Sequence, residues 1–268
     1  MSTLAEYLRE LTRRFEAAGV PSPRFDADAL VMHALGWSRA DLVTRRDLDV
    51  PLEILEPLAR RREAREPLQH LLGEVEWGEL TLKVSPAALI PRPETEVLLE
   101  LVLQCLRGVA APRVLDVGTG TGVLALGVKA ARPDAVVLAT DVSEDALELA
   151  RENAARLELD VEFVLGDLTA NLAGPFNAVV SNPPYLPDAD AARAQPEVRH
   201  DPSLALYGGP DGLALARRLV LEAERLTTRL ALELDPRNVR VLASEMTGWT
   251  VTVHPDLTGR DRFLLASK

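Results

Sequence analysis

Two segments of this 268-residue chain combine residue types and spacing that could do chemistry. The first is Asp116-Val117-Gly118-Thr119-Gly120-Thr121-Gly122, which follows an apolar run that reads as a strand and opens a stretch that reads as a helix. Glycines there permit a tight turn and let backbone amides approach a ligand, and the crevice beyond a strand's carboxyl end is where open α/β sheets bind ligands. Asp141 closes the next strand, about 20 residues onward, the distance at which dinucleotide folds place a ribose-binding acid. A plain glycine turn with a helix cap would use the same residues. The second segment is Phe176-Asn177-Ala178-Val179-Val180-Ser181-Asn182-Pro183-Pro184-Tyr185, a strand running into Asn-Pro-Pro-Tyr. Neither proline offers a backbone N–H and their rings fix the path, so taken alone the tetrapeptide is also a sufficient strand terminator.

The order Gly-x-Gly-x-Gly differs from the dinucleotide pattern and resembles the nucleoside loop of class I S-adenosylmethionine-dependent methyltransferases. Asn182 to Tyr185, placed four strands into a chain that carries this loop, resembles the catalytic tetrapeptide of those that act on amide or exocyclic amino nitrogens. The resemblance implies cofactor contacts at Gly118, Thr119, Gly120, Thr121, Gly122 and Asn182, and S-adenosylhomocysteine as the product. It also implies that Asp141 takes the ribose hydroxyls and that the Gly166-Asp167-Leu168 turn holds the adenine, with Asp167 accepting from the exocyclic amine. Both acids also stand where helix caps stand, and Ser143 competes with Asp141 for that role.

The implied catalytic residues are Asn182, Pro183, Pro184 and Tyr185, and the chemistry accounts for their types. A carboxamide nitrogen is a poor nucleophile because its lone pair is delocalised into the carbonyl. Two acceptors, the Asn182 side-chain oxygen and the Pro183 carbonyl, would favour the pyramidal form and the positive charge that develops during transfer. Tyr185 would stack on the planar amide and favour the cationic transition state.

These segments need elements to hold them. Beyond Pro112 strands and helices alternate, with strands expected at 113–117, 135–141, 161–165, 178–181, 229–234, 250–254 and 262–266 and helices at 122–131 and 143–157. Such alternation requires crossovers and a mostly parallel sheet covered on both faces, and the last two strands, joined across Gly259, read as an antiparallel edge pair. The fold class expected is a Rossmann-like α/β sheet of the class I methyltransferase type, plus a small N-terminal helical bundle joined by a β-hairpin. In the bundle Thr3 and Glu6 have capping-box spacing, Leu4, Tyr7, Leu8, Leu11 and Phe15 make one apolar face, and Pro23, Ser38 and Pro51 open further helices. The Arg60-Arg61-Arg62 run, with Glu63 and Glu66 beside it, reads as a solvated helix face. Alternation of Leu80, Leu82 and Val84 around Gly78 reads as the hairpin, and Pro91 and Pro93 set an extended path into an apolar-periodic helix through Cys105. The expected domains are 1–73 for substrate recognition, 74–92 as the hairpin linker, and 93–268 as the catalytic domain. The segment from Leu186 to Tyr207 reads as a long polar loop or an active-site cover.

Glu66-Pro67-Leu68-Gln69-His70-Leu71-Leu72-Gly73, Leu89 through Glu96, the Asp116 loop, Asn182 through Tyr185 and Gly208-Gly209-Pro210-Asp211-Gly212-Leu213 together resemble the protein-(glutamine-N5) methyltransferases of peptide chain release factors. The resemblance implies methylation of the glutamine in a Gly-Gly-Gln motif, with the release factor as partner. Glu233-Leu234-Asp235-Pro236-Arg237-Asn238 departs from relatives that more often carry Gly and Gln there. A ribosomal-protein glutamine methyltransferase shares the tetrapeptide but does not usually carry Pro91-Arg92-Pro93-Glu94-Thr95-Glu96. A DNA adenine or RNA guanine methyltransferase would bring a base-reading domain and a basic surface. The net charge of −11 and pI near 5.0 instead repel phosphate backbones. One cysteine, Cys105, excludes a disulfide framework and a thiolate metal cluster. No stretch approaches a spanning helix, so a soluble cytoplasmic monomer is expected, with no membrane partner and no metal.

Overall fold

The computed structural model describes residues 2–268, which fall into two compact units. One takes the chain up to Glu74 together with Gln195–His200; the other takes Val75–Ala194 and Asp201–Lys268. Among the described residues no helix is long and apolar enough to cross a membrane.

The first unit is helical: α1 (Leu4–Ala17), α2 (Pro23–Leu35), α3 (Arg39–Thr44), α4 (Leu52–Glu63) and α5 (Leu68–Leu72). The capping boxes at Thr3 with Glu6 and at Ser38 with Asp41 are both formed. They satisfy amides that would otherwise be orphaned at the first turn. Leu4, Tyr7, Leu8, Leu11 and Phe15 are buried together with residues of α2 and α4. One expectation fails here. It fails for one member of the arginine run: Arg60 and Arg61 are exposed as expected, but successive helical residues point about 100° apart, so the third cannot share their side. Arg61 turns to Glu66, whereas Arg62 is 3% exposed and turns inward, donating to Asp26 at 2.7 Å and Glu197 at 3.0 Å. Arg65 grips the same Glu197 through two bonds of 2.6 and 2.7 Å.

The second unit begins with the hairpin, β1 (Glu74–Trp77) and β2 (Leu80–Lys83). Trp77 is buried against Leu82, Leu126 and Ala154 and donates from Nε1 to the Arg92 carbonyl at 3.0 Å. Then follow α6 (Glu94–Cys105), β3 (Arg113–Val117), α7 (Val123–Ala131), β4 (Val136–Asp141), α8 (Glu144–Arg156), β5 (Glu162–Leu165) and β6 (Ala178–Ser181). Short 3-10 segments at Asp188–Arg193 and Ser203–Ala205 follow (a third, Glu197–His200, belongs to the first unit), and α9 (Ala214–Ala223), β7 (Arg229–Glu233), α10 (Val239–Glu245), β8 (Thr250–Pro255) and β9 (Asp261–Ser267) complete it. The expected strands are present with ends shifted by a residue or two; α9 and α10 lie where no element was assigned.

The seven-stranded sheet runs β5-β4-β3-β6-β7-β9-β8. From β3 to β7 neighbouring strands pair parallel, and β9 pairs antiparallel with both β7 and β8. The chain goes outward from β3 to β5, then returns to place β6 on the other side of β3. The order therefore reverses between β3 and β6, and the crevice outside their carboxyl ends is where such sheets bind ligands. The glycine loop leaves β3 and the Asn-Pro-Pro-Tyr segment leaves β6, so the reversal brings the two sequence signals side by side.

Candidate active site

The β3 to α7 loop is held from behind. The amides of Gly118 and Thr119 both donate to the Thr140 carbonyl, at 2.8 and 2.9 Å, which ties the loop to the end of β4. Gly118, Gly120 and Gly122 all have positive φ, at 71°, 57° and 85°, a region costly for any residue with a Cβ. Asp116, at the end of β3, is buried; its Oδ2 accepts from the Thr119 hydroxyl at 2.7 Å and the Ala125 amide at 3.2 Å, while Oδ1 has no partner. Burial pushes its carboxyl up to about 7, against the pull of those two donors. Asp141 sits across the loop, with Oδ2 accepting from the Gly120 amide at 2.9 Å and Oδ1 from the Ser143 amide at 3.0 Å. Ser143 rather than Asp141 caps α8, taking the Ala146 amide at 3.2 Å.

At the end of β6 the Ser181 hydroxyl donates to the Val117 carbonyl at 2.6 Å, joining the two strand ends. Asn182 donates from Nδ2 to the Thr95 hydroxyl at 3.3 Å, and its Oδ1 is buried with no partner. Thr95 donates in turn to Glu233 Oε2 at 2.8 Å. Burial raises the Glu233 carboxyl to about 7, with Thr95 and Arg262 drawing it down. The backbone beyond Asn182 is packed against the Gly208 to Gly212 segment. A Cβ built on Gly208 would lie 2.3 Å from the Pro184 carbonyl oxygen, and one on Gly212 would lie 2.1 Å from that of Tyr185. The Asn238 side chain completes the clamp, donating to the Tyr185 carbonyl at 3.2 Å. Asn238 belongs to the stretch that departs from the family pattern, and the short amide still reaches its backbone acceptor.

One cavity of about 370 Å³ unites most of these residues. Gly118, Thr119, Gly120, Thr121, Asp141, Asp167, Leu168, Asn182 and Pro184 line it. Gly122, Pro183 and Tyr185 do not: Gly122 stands behind the loop against Leu126 and Ala150, and Tyr185 is partly buried against the apolar core beside β7. Burial and the nearby Glu233 push the Tyr185 hydroxyl up to about 12. Asp167 is exposed and ion-paired with Arg218 at 2.8 Å, so an adenine amine would have to share that carboxylate. Arg92 and Thr95, which the sequence offered only as part of a family-distinguishing stretch, and Arg218 and Leu204, which it did not single out, also line the cavity. Arg92 and Thr95 carried a signal through that stretch; Arg218 and Leu204 carried none. The 186–207 segment is not a plain loop: Pro202, Leu204 and Ala205 face the cavity, and Asp201 anchors them by pairing with Arg92 at 3.0 Å.

Residues 6–73 match the PrmC N-terminal domain family and residues 95–197 the Methyltransferase small domain family. The chain is 56% identical to the release factor glutamine methyltransferase of Deinococcus radiodurans, with 99% of this chain and 98% of that one covered. It is 42% identical to the protein of the same name from Mycolicibacterium smegmatis, with 100% and 99% covered. The chain belongs to the release factor glutamine methyltransferase family. Solved structures agree at the level of fold: a Pyrococcus furiosus methyltransferase superposes with TM-score 0.55 at 24% identity, covering 71% of this chain and 89% of that one. A human methyltransferase 10 domain containing protein gives TM-score 0.52 at 16%, covering 70% and 88%. The two family matches flank the β1–β2 hairpin, and the second contains β3, the glycine loop and the Asn-Pro-Pro-Tyr segment.

Proposed function

We propose that the chain transfers a methyl group from S-adenosylmethionine to the side-chain nitrogen N5 of the glutamine in a release factor's Gly-Gly-Gln motif, releasing S-adenosylhomocysteine. The observation that carries this reading is the free, buried Oδ1 of Asn182 on the wall of the glycine-loop cavity, in a chain of this family.

The residues fit the cofactor. Gly118 leaves open space where a Cβ would stand, Asp116 and Asn182 each keep a buried oxygen without a partner, and Asp141 is held rigidly by two amides. Gly118, Thr119, Gly120 and Thr121 would face the nucleoside and amino-acid parts, Gly122 would shape the turn behind them, Asp141 would take the ribose hydroxyls, and Asp167 with Leu168 would border the adenine. When bound, S-adenosylmethionine supplies an electrophilic methyl on a sulfonium. Asn182 Oδ1 and the Pro183 carbonyl accept the two amide N–H groups, draw the nitrogen toward its pyramidal form and stabilise its growing positive charge. Pro184 keeps the segment rigid, and Tyr185, packed against the core beside β7, would have to turn from there to stack on the amide. No base is required beforehand, because the nitrogen becomes acidic as the methyl arrives and gives its proton to water.

Residues 1–73 act as the docking domain for the factor, 74–92 as the connecting hairpin and 93–268 as the catalytic domain; the separate match of 6–73 to its own family supports this division. The enzyme works as a cytoplasmic monomer, and its acidic balance disfavours free nucleic acid.

The reading is tested by incubating the protein with methyl-labelled S-adenosylmethionine and, in parallel, a release factor, a ribosomal protein and duplex DNA. Label is expected on the Gly-Gly-Gln glutamine; label on either of the other two acceptors and none on the factor defeats it. The cofactor assignment makes a separate prediction. Asp141→Ala weakens S-adenosylmethionine binding by about 1.5–3 kcal/mol, the worth of a hydrogen bond to a charged group, without unfolding the chain. Unchanged affinity in calorimetry removes Asp141 from the site.

A further inference from the structure

One polar chain in the cavity wall is not used by the methyl-transfer scheme. At its inner end Glu233, on β7, is fully buried, with Oε2 taking the Thr95 hydroxyl at 2.8 Å and Oε1 lacking a hydrogen-bond partner. Arg262 approaches Oε1 only to 3.9 Å. Thr95, 1% exposed, stands between Glu233 and the catalytic segment. A hydroxyl has one proton and two lone pairs. With its proton committed to Oε2, Thr95 Oγ1 can only accept on its other side, where it meets the Asn182 side-chain amide at 3.3 Å. An acceptor selects the NH₂ end of that amide. The two ends of an asparagine amide have nearly the same shape, so sterics alone do not choose between them. The hydrogen-bond chain does choose, and it leaves Oδ1 as the free, buried end.

We propose that Thr95 and Glu233 are positioning residues, which set the polarity of the Asn182 amide so that its oxygen, and not its NH₂, is offered to the acceptor nitrogen. This rests on the methyl-transfer reading above. The flipped amide would set donor against donor and lose the interaction that favours the pyramidal nitrogen. The polarity is set by the carboxylate form of Glu233, which has no proton of its own to donate and so can only accept from Thr95. In a low-dielectric interior the linked hydrogen bonds polarise one another, which favours one arrangement more firmly than an isolated contact does.

Thr95→Val keeps the volume and removes the hydroxyl. With methyl-labelled S-adenosylmethionine and a release factor, it is expected to lower kcat about tenfold, the worth of one buried hydrogen bond, with KM for the factor and affinity for S-adenosylmethionine within about twofold. Thr95→Ser, which restores the hydroxyl, recovers kcat to within about threefold of the unmodified enzyme, because the bond itself is regained. In an Asn182→Ala background Thr95→Val changes kcat by less than about twofold, since the residue it positions is gone. Glu233→Met leaves the hydroxyl but removes the acceptor that orients it, and lowers kcat in the same direction. Calorimetric binding of S-adenosylmethionine reports that each variant is folded. Unmodified kcat in Thr95→Val, or the same tenfold loss in both backgrounds, overturns the role of Thr95; full activity in Glu233→Met overturns that of Glu233. If the unmodified enzyme methylates no glutamine at all, the reaction is wrong and the positioning role falls with it, a result distinct from active enzyme with indifferent Thr95.

Discussion

Replacing Asn182 with Ala is expected to lower the rate of methyl transfer to a Gly-Gly-Gln acceptor by about 10²–10³ at saturating S-adenosylmethionine, with little change in affinity for the release factor. The size follows from where the lost acceptor acts. Oδ1 of Asn182 is buried and has no donor from the protein itself, so no protein group has to be displaced when substrate arrives. Its bond to the amide N–H strengthens as positive charge grows on the nitrogen, which places its contribution in the transition state and hence in turnover. Asn182→Asp separates charge from geometry. The carboxylate attracts a sulfonium before reaction, but it offers no N–H to Thr95 and cannot keep the amide's orientation. Tighter binding of S-adenosylmethionine with slower methylation is the expected pair of results. A rate unaffected by Asn182→Ala would return Asn-Pro-Pro-Tyr to its reading as a strand terminator.

The second large effect is expected at Gly212. An alanine there would place its Cβ 2.1 Å from the Tyr185 carbonyl oxygen and 2.9 Å from its carbonyl carbon, at φ 77°. Both neighbours are backbone, so no side chain can swing aside, and the segment carrying Asn182 has to move. Positive φ and overpacking each cost about 1–3 kcal/mol, so a destabilisation of roughly 3 kcal/mol or more is expected, together with loss of activity. Gly248 is the control. It has φ 81° with nothing within 4 Å of the added Cβ, so Gly248→Ala carries the conformational cost alone, roughly 1–2 kcal/mol. Denaturant midpoints that shift equally for the two variants would show that the clash at Tyr185 is relieved cheaply. The Gly208 to Gly212 segment, legible in the sequence only as a family resemblance, thereby acquires a physical reason: it is the surface on which the catalytic backbone lies.

Local order was readable from local residues. Capping boxes at Thr3 and Ser38, the alternation of strands and helices after Pro112, the glycine loop and the strand ending in Asn182 all rest on interactions that span a few positions, and neighbouring side chains decide those. Alanine and leucine at helical spacing in α9, from Leu213 through Ala216, Leu219, Val220 and Ala223, were equally present and all buried, but the glycine-rich lead-in carried no conventional cap to mark the start. Arg62 shows the opposite limit: its neighbours are charged and polar, and only the packing of α4 on α2 reveals that this one member of the run faces Asp26.

What the sequence determined by itself is the chemistry on offer: a turn that admits a nucleoside, an acid beyond the next strand, and acceptors at a strand end that cannot be silenced by backbone donors. Tertiary structure decided which of these meet. β9 could have paired with β7 or lain outside β8, since a hairpin permits either, and burial of Phe263 and Leu264 places it inside. The reversal between β3 and β6 set Asn182 beside the glycine loop. Thr95 and Glu233, 138 positions apart, form a bond that no local pattern announces, because a single buried hydrogen bond leaves no periodicity in the chain; it exists only where α6 crosses the end of β7.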